Sequence, residues 1–212
     1  CGFLYLYILG TNAASVGLGN RMDEKKENAV KKLRIINDNP NRYRQSLIIA
    51  IISHLGIIAI AVTLFLAFNQ YNPLLAIIGT IFRLGEGSIL SYNEIKSFSH
   101  LNIAKEYSNS SDSKQITLSN SCGTLIQKSN FRFILGLNFL SIGTLSYCIL
   151  FLSTGAIFIP IGWLGFVASA ISVIGTGIVL IKPNFNILYK IGLPLMMLFE
   201  ITFGIWLLFF LS

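Results

Sequence analysis

Charge is scarce in this sequence, negative charge most of all. Of 212 residues, 16 are Lys or Arg and nine are Asp or Glu, which makes 12% charged and a formal net charge of +7. A soluble domain of this length carries about twice that charged fraction, so the composition excludes an ordinary water-soluble fold. Cysteine is sparse as well. Cys1, Cys122 and Cys148 stand far apart, with no CxxC or other ligand spacing, which argues against a disulfide framework or a cysteine metal centre. There are two histidines, and His100 falls in a polar connection. His54 is thus the only histidine inside an apolar run, and a bis-histidine haem site is excluded. The chain has no HExxH, no GxxxxGK[ST] phosphate loop and no GxSxG elbow. No catalytic residue, metal ligand or cofactor is expected.

What the chain has instead is apolar length. Hydrophobic residues make up 53% of it, in blocks of about twenty, the length that a bilayer core of roughly 30 Å requires. Six spans stand out: 1–18, 46–68, 73–97, 131–153, 157–181 and 187–211. All six read as helices, because a membrane barrel would show short alternating segments. The expected fold is all-α, a polytopic integral membrane bundle of about six transmembrane helices forming one domain over 1–212. No internal repeat supports an inverted-repeat transporter. The opening CGFLYLYILGTNAASVGL has the apolar core of a signal peptide but lacks a basic flank. A chain that opens at Cys1 without an initiator Met is expected to lack its native start.

The basic residues fall in the connections. Segment 19–45 holds eight (Arg21, Lys25, Lys26, Lys31, Lys32, Arg34, Arg42, Arg44), and the turn at 69–72 none. The stretch 96–132 holds five, the STGAIF turn none, and the last connection is flanked by Lys182 and Lys190. This alternation places the basic loops on the cytoplasmic side of a cell membrane and both termini outside. It is not the pattern of a nucleic-acid face, so membrane lipids are the expected partners. In the first loop, Val30, Leu33 and Ile36 recur at near-helical spacing among the basic residues. The segment is either a short amphipathic helix on anionic inner-leaflet headgroups or a solvated connector. The Ser/Asn-rich 98–130 reads as a polar cytoplasmic loop, flexible in its SNSSDSKQITLSNS portion.

Two spans carry charges that need an account. In PLLAIIGTIFRLGEGSILSYNEIKSF, at about 100° per residue, Arg83, Glu86, Gly87, Leu90, Glu94 and Ser97 share about one third of the helix circumference. Arg83 and Glu86 are three apart and can reach each other. Glu200 lies near the middle of the sixth span. A mid-helix charge costs roughly 2.5–3.5 kcal/mol on insertion scales. Pairing Arg83 with Glu86 and Glu200 would offset much of that, so all three are expected to face the bundle interior. His54 and Asn138, on the second and fourth spans, and Glu94 either extend this polar cluster or are ordinary buried polar groups. The cluster itself is either an ion-pair lock that fixes helix register or a ligand or proton site. Glycines in LGEG and VIGTGIVL sit within hydrophobic helices, where close packing is their expected role. Tyr5, Tyr7, Trp163 and Trp206 are packing groups or interfacial anchors.

The order of these features resembles a family of prokaryotic multi-pass membrane proteins classed as domain of unknown function 4386. GFLYLYILG resembles its first helix, and IFRLGEGSIL its Phe-Arg motif leading into small and acidic residues. STGAIFIPIGWLGFVASAISVIGTG is similar to its turn, Pro-Gly helix start and small-residue helix. PLMMLFEITFGIWLLFF matches its closing helix, with Pro194, Glu200 and Trp206 at the Pro, Glu and Trp positions. One departure is Ile161 after Pro160, where the family commonly has a basic residue. The resemblance implies a retained first helix, an integral membrane helical fold and importance for Arg83 and Glu200. It implies no activity.

The functional expectation is a non-enzymatic membrane protein that acts by packing, alone or as an accessory subunit among other membrane protein subunits. The alternative is a small-solute or proton-coupled carrier or ligand receptor that uses Arg83, Glu86 and Glu200 as its site. An intramembrane enzyme ranks third, motivated by His54 near Glu86.

Overall fold

The computed structural model of the chain describes residues 2–19 and 28–210. Cys1, residues 20–27 (with Arg21, Lys25 and Lys26 of the basic segment) and residues 211–212 lie outside the described residues. Eight helices and no strand occur among the described residues. They are α1 (Gly2–Gly17), α2 (Ala29–Asp38), α3 (Pro40–Phe68), α4 (Pro73–Ser97), α5 (Ser99–Ser108), α6 (Asp112–Thr154), α7 (Ile159–Ile181) and α8 (Ile187–Phe209).

Local chemistry sets the boundaries. Pro40 and Pro73 stand in the first turn of α3 and α4, where a missing N–H costs nothing. Asn72 caps α4, its side-chain oxygen accepting from the Leu75 N–H at 3.1 Å. Gly155, at φ 65°, ends α6 in the left-handed conformation that glycine adopts without penalty. Lys182 and Pro183 follow the last turn of α7.

Five helices are long and apolar enough to cross a membrane: α3, α4 (running on into α5), α6, α7 and α8. The sixth expected span is α1. Its 16 residues are fewer than the about 20 that a bilayer core takes, yet it completes the architecture. Packed pairs run α1–α3, α3–α4, α4–α6, α6–α7, α7–α8 and α8–α1, so the helices form a closed circle with α1 as the closing member. Glycines and small residues set its contacts. A Cβ on Gly2 would fall 2.5 Å from the Gly204 carbonyl oxygen, and one on Gly56 would fall 3.0 Å from Ile8. Ser15 donates to the Ser46 carbonyl at 2.9 Å and Ser53 to the Ile8 carbonyl at 3.3 Å. Helices in lipid associate through such close packing and hydrogen bonding, since neighbouring lipid tails are as apolar as their side chains.

The same logic operates at α7–α8. A methyl on Gly175 would lie 2.6 Å from the Tyr189 backbone nitrogen and 2.7 Å from the Leu188 carbonyl carbon. Main chain cannot swing aside as a side chain can. Gly175→Ala is therefore expected to destabilise the bundle by about 1–3 kcal/mol, the usual cost of overpacking, read as a lower unfolding midpoint in an SDS titration. An unchanged midpoint would show that α8 slides at no cost.

A second core sits at the basic end. Leu33 and Ile36 of α2 are 0% and 3% exposed and pack with Tyr43, Leu47, Ala104, Tyr107, Cys122 and Ile126. This settles the form of two connections. The 19–45 segment does hold a helix, but its apolar stripe is covered by α5 and α6 rather than left for lipid. The 98–130 segment is not a flexible loop. It is α5, a short break at 109–111, and the first turns of α6, which continues without interruption into the membrane. Ser and Asn disfavour helix only weakly, and the segment lacks proline, while Leu118, Cys122 and Ile126 recur every fourth residue and bury one face.

Candidate functional site

Arg83 lies in the middle third of α4, on the stripe the spacing selects. Arg83 and Glu86 are each 3% exposed, Leu90 5%, and Glu94 and Ser97 each 6%, with Gly87 also buried. The stripe therefore faces the interior of the circle along its whole length. Close approach of α6 is needed to seat the arginine. A Cβ on Gly143 would stand 3.0 Å from both Arg83 Cγ and the Gly79 carbonyl oxygen, so only glycine lets the guanidinium stem lie flat there.

The head group meets two acids. Arg83 Nη1 is 2.9 Å from Glu86 Oε2 and 3.7 Å from Glu200 Oε1. The first pair is within α4. The second crosses the interior of the circle to α8, which is not a neighbour of α4 around it, and so links helices whose apolar contacts alone do not hold them together. Arg83 Nε makes no hydrogen bond among the described residues. Around the charges stand Tyr5 from α1, Leu64 from α3, Thr144, Tyr147 and Phe151 from α6, and Phe199 and Phe203 from α8. Tyr147 is fixed by a 2.7 Å hydrogen bond to Thr80, whose own hydroxyl donates to the Ala76 carbonyl at 2.7 Å. The tyrosine hydroxyl is then the donor to Thr80.

The space left beside Arg83 is about 10 Å³, at or below the roughly 10–15 Å³ that a single water needs. An organic substrate does not fit. Chemically the arrangement offers one fixed cation and two carboxylates. It can hold helices in register, and it can exchange a proton, because two acids face one base. Glu200 differs from its partners in burial. Its side chain is 17% exposed, against 3% for Arg83 and 4% for Glu86, so the outer acid reaches the surface of the bundle.

The other polar residues go to different places. Asn138 turns towards α7, its Nδ2 donating to Thr176 Oγ1 at 2.8 Å and to the Val173 carbonyl at 3.3 Å. It ties α6 to α7 and, among the described residues, makes no hydrogen bond with Arg83 or its acids. His54 is buried on α3 at 5% exposure. Its carbonyl would be 3.1 Å from a Cβ on Gly87, so α3 and α4 cross closely there. Glu94 is two turns from Glu86 towards the basic end, about 12 Å along the axis. The ion pairs of Arg83 are with Glu86 and Glu200, not with Glu94.

Sequence reasoning named Tyr5 as a packing group or anchor but missed the rest of the lining of the charges. Tyr5, Thr80, Thr144, Tyr147 and Phe203 are ordinary membrane-helix residues whose importance comes from position. A four-residue spacing from Gly79 to Arg83, repeated as Gly143 to Tyr147 on α6, was the available signal. The contact of Tyr43 with His100 was also missed. The tyrosine hydroxyl stands 3.3 Å from His100 Nδ1, which is itself 3.0 Å from the Ser97 carbonyl, within the second core.

No curated protein and no solved structure matches the chain. A family match covers residues 1–210, essentially the whole length. With its helical membrane bundle, mid-span arginine and closing-helix glutamate, the chain belongs to the family described as domain of unknown function DUF4386.

Proposed function

We propose that the chain is a non-enzymatic integral membrane protein that works through helix packing, as a structural or accessory subunit of a larger membrane assembly. The observation that carries this reading is the position of Glu200. A carboxylate near the middle of a membrane helix is costly against lipid, and this one is 17% exposed. Beside it on α8, one turn earlier, Met197 is 55% exposed. A partner helix seated there covers the acid and completes the cluster from outside. The closed interior supports the same reading, since it leaves no room for a substrate. Photocrosslinking from Met197→p-benzoylphenylalanine in native membranes tests it. A crosslinked species of higher mass is expected. A chain that stays monomeric in mild detergent and forms no adduct removes the accessory role.

A second reading, a proton-coupled carrier or ligand receptor on the same residues, is favoured by one feature: two carboxylates face one guanidinium. Glu200→Gln separates the readings. Under the packing role the variant folds, because Arg83 keeps Glu86 at 2.9 Å, and proteoliposome uptake does not depend on it. Uptake or binding that is present in the native chain and lost in a folded Glu200→Gln variant would replace packing with transport.

The basic end is assigned to the cytoplasmic face of a prokaryotic cell membrane, on the distribution of Lys and Arg. Headgroup contact by the 19–45 segment rests on its exposed Lys31 and Arg34, since its apolar face is occupied by protein. Labelling of Lys105→Cys by an impermeant maleimide is expected only after the cells are opened. Labelling of intact cells would invert the assignment.

A further inference from the structure

Two cations meet on one exposed ring at the basic end of the α4–α6 seam. Lys96 Nζ is 5.3 Å and Arg132 Cζ 5.7 Å from the centroid of the Tyr92 ring, both inside the roughly 6 Å over which an aromatic face attracts a cation. Arg132 is fixed in place. Its Nε donates to Asn93 Oδ1 at 2.9 Å, and Asn93, 4% exposed, donates in turn to Ser129 Oγ at 3.1 Å. The two terminal nitrogens of the guanidinium make no hydrogen bond among the described residues, and neither cation makes an ion pair there. Glu94, the nearest acid in sequence, is buried on the interior stripe of α4, about 200° round the helix from the half-exposed Tyr92. The helices set the height of the pair. At 1.5 Å per residue, Tyr92 is about 28 Å from the start of α4 at Pro73, and Arg132 about 33 Å from the end of α6 at Thr154. A bilayer core is roughly 30 Å thick, so both cations stand where hydrocarbon gives way to lipid phosphates.

We propose that Lys96 and Arg132, gathered on Tyr92, form a binding site for the phosphate of an anionic membrane lipid. Two like charges held on one ring repel each other, and the ring offsets only part of that cost. A bound anion removes the rest. The two side chains divide the work. Asn93 fixes the plane of the Arg132 guanidinium, whose two terminal nitrogens match a pair of phosphate oxygens. Lys96 is a compact charge on a flexible stem and closes on the same phosphate from the neighbouring helix. Net charge selects among lipids: a zwitterionic headgroup brings its own cation to the site, and an anionic one brings none. Tyr92 is at the level where tyrosine commonly anchors membrane helices, so the ring that gathers the cations also holds them at headgroup height.

Native mass spectrometry of the full chain, released from nanodiscs of phosphatidylglycerol and phosphatidylcholine in equal amounts, tests the site. The native chain is expected to retain phosphatidylglycerol in preference. A basic residue at an anionic membrane surface contributes about a fivefold preference. K96Q alters an exposed side chain, so it is expected to fold and to lower the preference by about that factor. K96Q/R132Q is expected to lose most of it. K182Q/K190Q removes the same amount of charge from exposed positions at the same end and is expected to keep the native preference. Equal retention of the two lipids by the native chain overturns the proposal. So does a preference unchanged in K96Q, or a fall in K182Q/K190Q as large as that in K96Q/R132Q, which would assign the effect to general surface charge. Displacement of the lipid by inorganic phosphate at constant ionic strength would make the ligand a soluble anion instead.

Discussion

Arg83→Met is expected to have one of the two largest effects of any single substitution in this chain. The methionine preserves most of the volume and removes the charge. Glu86 then loses the cation 2.9 Å away, and Glu200 loses the one 3.7 Å away, inside a bundle with no space for compensating solvent. Removing one partner of a buried ion pair costs about 3–5 kcal/mol, because the remaining charge is left uncompensated. Typical domains have about 5–15 kcal/mol in total, so the expected result is little or no monodisperse protein in size-exclusion chromatography. The companion is the triple variant R83M/E86Q/E200Q, which removes all three charges while nearly conserving shape. Replacing a whole buried ion cluster by neutral groups is often tolerated, so the triple variant is expected to be more stable than the single one. That order, three changes milder than one, is a signature of charge balance. A single Arg83→Met variant as stable as the native chain would remove the lock from the account.

Such a cross-circle ion pair also explains why the charges are worth their insertion cost. Each neighbouring pair of helices around the circle is held by small residues and close contact. The ion pair from Arg83 to Glu200 spans the interior, so it reports on the closure of the whole circle rather than on one seam. The helical character of the apolar blocks and this pairing were both legible in the sequence, and for the same reason. Water is absent from a bilayer core, so an apolar block has to be a helix, and a charge within it has to find a partner of opposite sign. With Arg83 the one arginine near the middle of a span and so few acids there, few pairings were open.

Other features were hidden because their physics is less exclusive. The α2 stripe of Leu33 and Ile36 fits a lipid surface and a protein surface equally, and only the path of α5 and α6 decides between them. Segment 98–130 reads as a loop by composition, since Ser and Asn are common in loops. Its helicity depends on Leu118, Cys122 and Ile126 having a hydrophobic partner, which lies some 85–100 residues earlier. The role of α1 was only half visible. Its apolar character was plain, but its 16 residues matter through closure of the circle, and closure has no local sequence signal. Asn138 is similar: an amide on a span needs a partner, and nothing in spacing says that Thr176 on α7, rather than Arg83, supplies it.

Phe203→Ala is the second large expectation, and it tests whether the charged centre depends on being closed. Phe203 is 1% exposed and lies at the hub of four rings, with centroid distances of 5.3 Å to Phe199, 5.4 Å to Tyr5, 5.4 Å to Phe151 and 6.5 Å to Trp206. Those rings come from α1, α6 and α8, so truncation loosens three helices together. Lipid is no worse a solvent for phenylalanine than the bundle interior, so the loss is one of dispersion contacts across a void. Phe→Ala in a close-packed core costs about 3–5 kcal/mol, and a similar fall is expected in an SDS titration. The void would also enlarge the 10 Å³ space beside Arg83 past the roughly 10–15 Å³ that a single water needs. Polar atoms line that space, so water enters, and an uncompensated Glu86 becomes less costly. The penalty of Arg83→Met is therefore expected to be smaller in the Phe203→Ala background than alone. Coupling of about 0.5–3 kcal/mol is usual for residues that share a cavity. If the two penalties simply add, the aromatic packing and the ion pairs are independent supports, and exclusion of water is not what makes the arginine indispensable.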